Sequence, residues 1–70
     1  MQPMRLESAQ LGFWVDVTLL EVRGRWMAVA FIGGDADIGY GLTRSGALRR
    51  ALAGLGSEAT DELLREQATD

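Results

Sequence analysis

The chain contains no cysteine, histidine or lysine, has a single proline, and carries no long apolar run. Each absence excludes something. Without cysteine there is neither a disulfide framework nor a thiolate metal site to brace a small core, and a thiol-free chain fits a reducing compartment. Without histidine, cysteine and lysine the usual general bases, nucleophiles and Schiff-base residues are missing, so the chain reads as non-enzymatic. No catalytic, cofactor-binding or metal-ligating residue is therefore assigned. No stretch approaches the ~20 apolar residues that span a bilayer, and Met1-Gln2-Pro3-Met4-Arg5-Leu6 lacks the apolar core of a signal peptide. A cytoplasmic protein without a membrane segment is expected.

Seventy residues allow one domain with a small core. A chain this short buries only about 60% of its unfolded surface, which leaves it marginal as a monomer. With disulfides and thiolate metal sites excluded, association is the remaining common staple, and a homodimer or a protein partner is expected. Charge is placed unevenly. Residues 1–56 carry six arginines against five acids, net +1, and residues 57–70 carry one arginine against five acids, net −4, which sum to −3. An acidic chain is a poor default partner for nucleic acid, whose binding rests on phosphate neutralisation.

The stretch Gly39-Tyr40-Gly41-Leu42-Thr43-Arg44-Ser45-Gly46-Ala47-Leu48 opens a glycine-rich turn into an amphipathic helix that continues to Leu55. Thr43 or Ser45 can cap its first turn. Ala47, Leu48, Ala51, Leu52 and Leu55 recur at helical spacing and form one apolar stripe, while Arg49 and Arg50 fall on the other side. Gly54 or Gly56 ends the helix.

Ahead of that helix the period changes to two. Phe13, Val15, Val17 and Leu19 alternate with Trp14, Asp16 and Thr18, which predicts a strand over 13–21. A second strand is predicted over 25–32. A three-residue loop Val22-Arg23-Gly24 pairs Glu21 with Arg25, Leu19 with Met27, Val17 with Val29 and Val15 with Phe31, gathering the large apolar side chains under the helix. In that register Trp14, Leu20, Trp26 and Ile32 share the opposite face, an apolar patch fitted to a protein interface or to cover by the chain's own ends. Gly33-Gly34-Asp35-Ala36-Asp37 reads as a turn, and Ile38-Gly39-Tyr40 as a short third strand.

Residues 1–12 read as a partly disordered end, with a short edge strand through Met4 and Leu6 as the other reading. Ser57 begins a short acidic helix, with Ala59, Leu63 and Leu64 as a thin apolar stripe and fraying expected after Glu66. The fold class is α+β: a three-stranded antiparallel sheet, β-β-β-α, with one main helix on one face. Its parts are an N-terminal segment 1–12, a core 13–56 and a C-terminal helix and tail 57–70.

Two weak chemical motifs fall short of a site. Asp35 and Asp37 lack the further acids of a calcium loop, and a solvated turn explains them. Gly41-Leu42-Thr43-Arg44-Ser45-Gly46 has two glycines of a phosphate loop, but Ala47-Leu48 stands where lysine and a hydroxyl residue are required. Arg44, Arg49 and Arg50 remain the candidate contacts for an anion or nucleic acid.

Two family resemblances cover this region. Trp26-Met27-Ala28-Val29-Ala30-Phe31, the turn Gly41-Leu42-Thr43, and Ala47-Leu48 with Ala51-Leu52 resemble the second strand, turn and helix of HicB-like antitoxins and their small single-domain relatives. The match spans roughly residues 13–55. It departs from the family at Ser45-Gly46 and Gly33-Gly34, and implies a β-β-β-α fold, an oligomer and protein binding. The spacing of Gly39, Gly41 and Arg44 is also similar to the C-terminal half of a double-stranded RNA-binding domain, although Ser45 and Leu48 replace two of its lysines. That second resemblance implies RNA contacts at the start of the 43–55 helix.

Overall fold

In a computed structural model that describes residues 1–67, four strands precede two helices. The strands are β1 (Gln2–Ser8), β2 (Phe13–Val22), β3 (Arg25–Ile32) and β4 (Asp35–Gly41). Helix α1 (Arg44–Ala51) leads through a 3-10 turn at Ala53–Leu55 into α2 (Ser57–Gln67). The strands form one antiparallel meander in the order β1-β2-β3-β4. The α+β class is as expected, but the sheet has four strands rather than three. No helix of the described residues is long and apolar enough to cross a membrane. Fraying beyond Gln67 and the rest of the acidic tail lie outside the described residues.

The additional strand corrects the reading of residues 1–12 as partly disordered. Gln2, Met4, Leu6 and Ser8 alternate with Pro3, Arg5 and Glu7, and Leu6 is fully buried. The segment gains order from α2, which packs against β1. Glu66 accepts a hydrogen bond from the Ala9 amide at 3.0 Å, and the Gln67 side-chain amide donates to the Glu7 carbonyl at 2.9 Å. These partners lie some sixty residues away in sequence, so no local pattern announces them. As an edge strand, β1 also accommodates Pro3, whose missing N–H costs a central ladder but not a free edge.

The β2–β3 turn also differs from expectation. Val22 pairs with Arg25, Glu21 with Trp26, Leu20 with Met27, Leu19 with Ala28 and Val17 with Ala30. Only Arg23 and Gly24 form the connection, with φ of 54° and 78°. Two positive φ values match the right-handed twist of a two-residue hairpin, a geometry that glycine takes at little cost. Relative to the three-residue loop, β3 slips by one residue and every one of its side chains changes face.

That slip sets the helix contact. Toward the helices the sheet presents Leu6, Val15, Val17, Leu19, Ala28 and Ala30, all buried. Ala47, Leu48, Ala51 and Leu52 meet them from the α1 segment, and Leu63 from α2. Val17 and Leu52 are buried as expected, whereas Val29 is half-buried on the far side of the sheet. Among the fully buried residues of the sheet the large ones lie on β1 and β2, while β3 and β4 offer Ala28, Ala30 and Gly39 where α1 lies against the sheet. The approach is close enough that a Cβ on Gly39 would fall 2.3 Å from the Ala51 nitrogen, and one on Gly41 2.6 Å from the Ala47 nitrogen.

Thr43 caps α1, its hydroxyl accepting from the Gly46 amide at 3.0 Å. α1 is shorter than the periodicity suggested, because the backbone tightens after Leu52 and turns at Gly56, where φ is 92°. The Thr60 hydroxyl lies within hydrogen-bond distance of the Leu52 and Gly56 carbonyls, 3.0 and 2.8 Å, and fixes the corner between the helices.

Candidate functional site

Both helices cover the same side of the sheet, so its other side faces outward. Alternation fixes what this outer face carries: Pro3, Arg5 and Glu7 on β1; Trp14, Asp16, Thr18, Leu20 and Val22 on β2; Arg25, Met27, Val29 and Phe31 on β3; Ala36, Ile38 and Tyr40 on β4. Trp14 is 53% exposed, Phe31 52%, Ile38 54% and Tyr40 60%. Leu20, Met27 and Val29 are half-buried among them. Apolar neighbours thus run across β2, β3 and β4, bordered on β1 by Arg5 and Glu7, a contiguous apolar surface of the kind that marks an interaction site.

Of the four residues expected to form an interface, the structure brings two together there. Trp14 and Leu20 stand on the outer face. Trp26 and Ile32 instead lie half-buried on the helix side, packed against the core, because the two-residue turn reverses β3. Met27, Val29 and Phe31 take their place, and β4 adds Ile38 and Tyr40. The sequence signal for those two is the alternation of Ala36, Ile38 and Tyr40 with Asp37 and Gly39, which a turn assigned through Asp37 conceals. A shallow concavity at the hairpin end of the sheet is lined by Leu20, Val22, Arg23, Arg25, Trp26, Met27 and Tyr40.

One polar cluster sits on the face. Arg5 and Asp16 are directly opposite across β1 and β2, with Arg5 Nε donating to Asp16 Oδ1 at 2.9 Å. The same guanidinium lies 3.9 Å from the centre of the Trp14 ring, within cation–π range. The hydrogen bond to Asp16 raises Arg5 above the usual arginine value, so the residue keeps its charge. Both side chains are about half exposed, so the pair orients Trp14 more than it stabilises the fold.

The candidate nucleic-acid contacts do not converge. Arg44 donates to the Gln2 side-chain carbonyl at 3.1 Å and lies 5.5 Å over the Trp26 ring. Arg49 pairs with Asp61 on α2. Arg50 donates to the Tyr40 carbonyl at 2.8 Å, reaching β4. Each arginine holds a different part of the fold, and α2 brings Asp61 against Arg49. Among the described residues no group of three or more acids, histidines or cysteines gathers to hold a metal ion. Asp35 and Asp37 stand within β4 rather than in a turn.

Compared with known proteins, the chain matches no family model, no curated protein and no solved structure.

Proposed function

We propose that this chain is a small non-enzymatic interaction protein of the cytoplasm that works by docking a protein against its outer sheet face. The observation that carries the reading is the continuity of exposed apolar side chains, Trp14, Phe31, Ile38 and Tyr40, over a face that neither helix covers. The resemblance of residues 13–55 to HicB-like antitoxins gives the proposal its specific form, an antitoxin or orphan relative whose partner is a small basic toxin. The positions of that resemblance support the reading in one further way. The turn Gly41-Leu42-Thr43 and the small residues Ala47 and Ala51 let α1 lie close against one side of the sheet, and neither helix packs on the other.

Co-expression with the small proteins encoded beside this chain tests the reading. The wild type is expected to co-purify with one of them and to restore growth that this protein inhibits. Phe31→Glu is expected to weaken binding about tenfold or more, since a buried unpaired carboxylate costs well above the ~1.4 kcal/mol of a tenfold change. Undiminished rescue by Phe31→Glu would remove the outer face from the reading, and the absence of any bound neighbour would remove the antitoxin form.

A further inference from the structure

We infer that the occupant of the outer face is a second copy of this chain, laid face to face so that two four-stranded sheets form a sandwich with the helices outside. The inference rests on the reading of that face as a protein-docking surface and names what covers it in the absence of the toxin.

Three observations support a second copy. The first is charge. The outer face carries Arg5 and Arg25 against Glu7 and Asp16, two of each sign, so it is neutral although the chain as a whole is −3. Surplus acids sit on α2, behind the sheet, and do not oppose the approach of an identical face. Arg5 and Asp16 already satisfy each other. Glu7 and Arg25 lie at opposite ends of the strands, so a copy laid antiparallel brings unlike charges to the same end.

The second observation is area. Strands ~4.8 Å apart and same-face residues ~6.8 Å apart along each strand give the face a footprint of roughly 500 Å². Protruding Trp14, Phe31, Met27 and Tyr40 raise the accessible area above that footprint, toward the ~800 Å² per partner of a standard interface. Nearly the whole face must be used to reach that value. An equal, four-stranded surface uses all of it.

The third observation is the make-up of the covered side. There Ala28 and Ala30 meet Ala47, Leu48, Ala51 and Leu52, and the helix backbone lies close to Gly39 and Gly41. Phe13 and Trp26 pack partly against that core, while Trp14, Phe31 and Tyr40 stand exposed on the open side. Packing two such faces at ~10 Å gives the assembly a second, aromatic-rich core of the kind found between sheets in β-sandwiches.

Light scattering at rising protein concentration tests this on the full chain. The wild type is expected to reach twice the 7.6 kDa chain mass, and Phe31→Glu and Ile38→Lys are each expected to hold at the single-chain mass. Both positions are about half exposed, and circular dichroism is expected to show each variant folded. A second measurement follows Trp14 in a Trp26→Phe background, where acrylamide quenching of the remaining tryptophan is expected to fall as the copies associate. A wild type that stays monomeric at high micromolar concentration overturns the second copy. So does a dimer that persists in both variants, which would place the contact at a sheet edge or on the helices. Neither outcome decides the docking reading, which stands or falls on the rescue by Phe31→Glu described above.

Discussion

Gly39 shows how closely one residue can control this fold. A methyl group at that position would meet the backbone of α1, 2.3 Å from the Ala51 nitrogen and 2.4 Å from the Ala47 oxygen. Backbone atoms in a packed helix cannot rotate away as a side chain can, so the helix itself must move. Gly39→Ala is expected to destabilise by about 3 kcal/mol or more, at or above the upper end of ordinary overpacking. Gly54→Ala is the comparison, because its added carbon would lie at an ordinary 3.6 Å from Asp37. Urea unfolding of the two variants checks the difference. Equal midpoints would mean that α1 does not rest on β4 as described. At the same scale, Arg44, Arg49 and Arg50 look alike in the sequence but hold three separate partners: Gln2, Asp61 and the Tyr40 carbonyl.

Among the elements, β1 depends most on residues far from it. Its own sequence has only Met4 and Leu6 as apolar in-facing positions, too little for a strand to form alone. It is held by β2 on one side and α2 above, with Leu6 fully buried at the junction. Leu6→Ala is therefore expected to cost about 2–5 kcal/mol, the range for a buried leucine. Thermal unfolding gives the answer directly. A frayed N-terminus would make the same substitution nearly neutral, so the experiment separates the two descriptions of residues 1–12. The β2–β3 hairpin shows another dependence. Both registers bury an apolar set, because both faces of β3 are apolar, and so hydrophobic pattern alone does not choose. The positive φ values at Arg23 and Gly24 choose.

Over the whole molecule, charge and apolar surface are separated. The acids of α2 lie behind the sheet, and the neutral apolar face lies in front. This arrangement opposes nucleic-acid binding at α1, where Arg49 pairs with Asp61 of α2 and Arg44 and Arg50 are engaged by Gln2 and the Tyr40 carbonyl. In an electrophoretic assay with duplex RNA at low salt, no shift is expected. A shift that weakens steeply with salt and disappears in Arg44→Ala would favour the RNA-binding reading instead, since phosphate contacts carry that salt signature.

The sequence by itself determined the α+β class, the strands at 13–21 and 25–32 to within a residue, a helix capped by Thr43 or Ser45 and the acidic helix at Ser57. These follow from periods of two and 3.6 and from local capping and turn residues, which act over a few positions. It also determined that Trp14 and Leu20 share an outer face. Tertiary structure decided the rest. The first strand exists because α2 covers it, and no local propensity contains that contact. Trp26 and Ile32 turned inward because a two-residue turn shifted β3 by one position, and a shift of one in a period of two exchanges the faces. Ile38 and Tyr40 joined the candidate site because β4 begins at Asp35, immediately after the Gly33-Gly34 turn. In each case alternation showed that a strand has two faces, and only the packing of α1 and α2 on the sheet decided which one is covered.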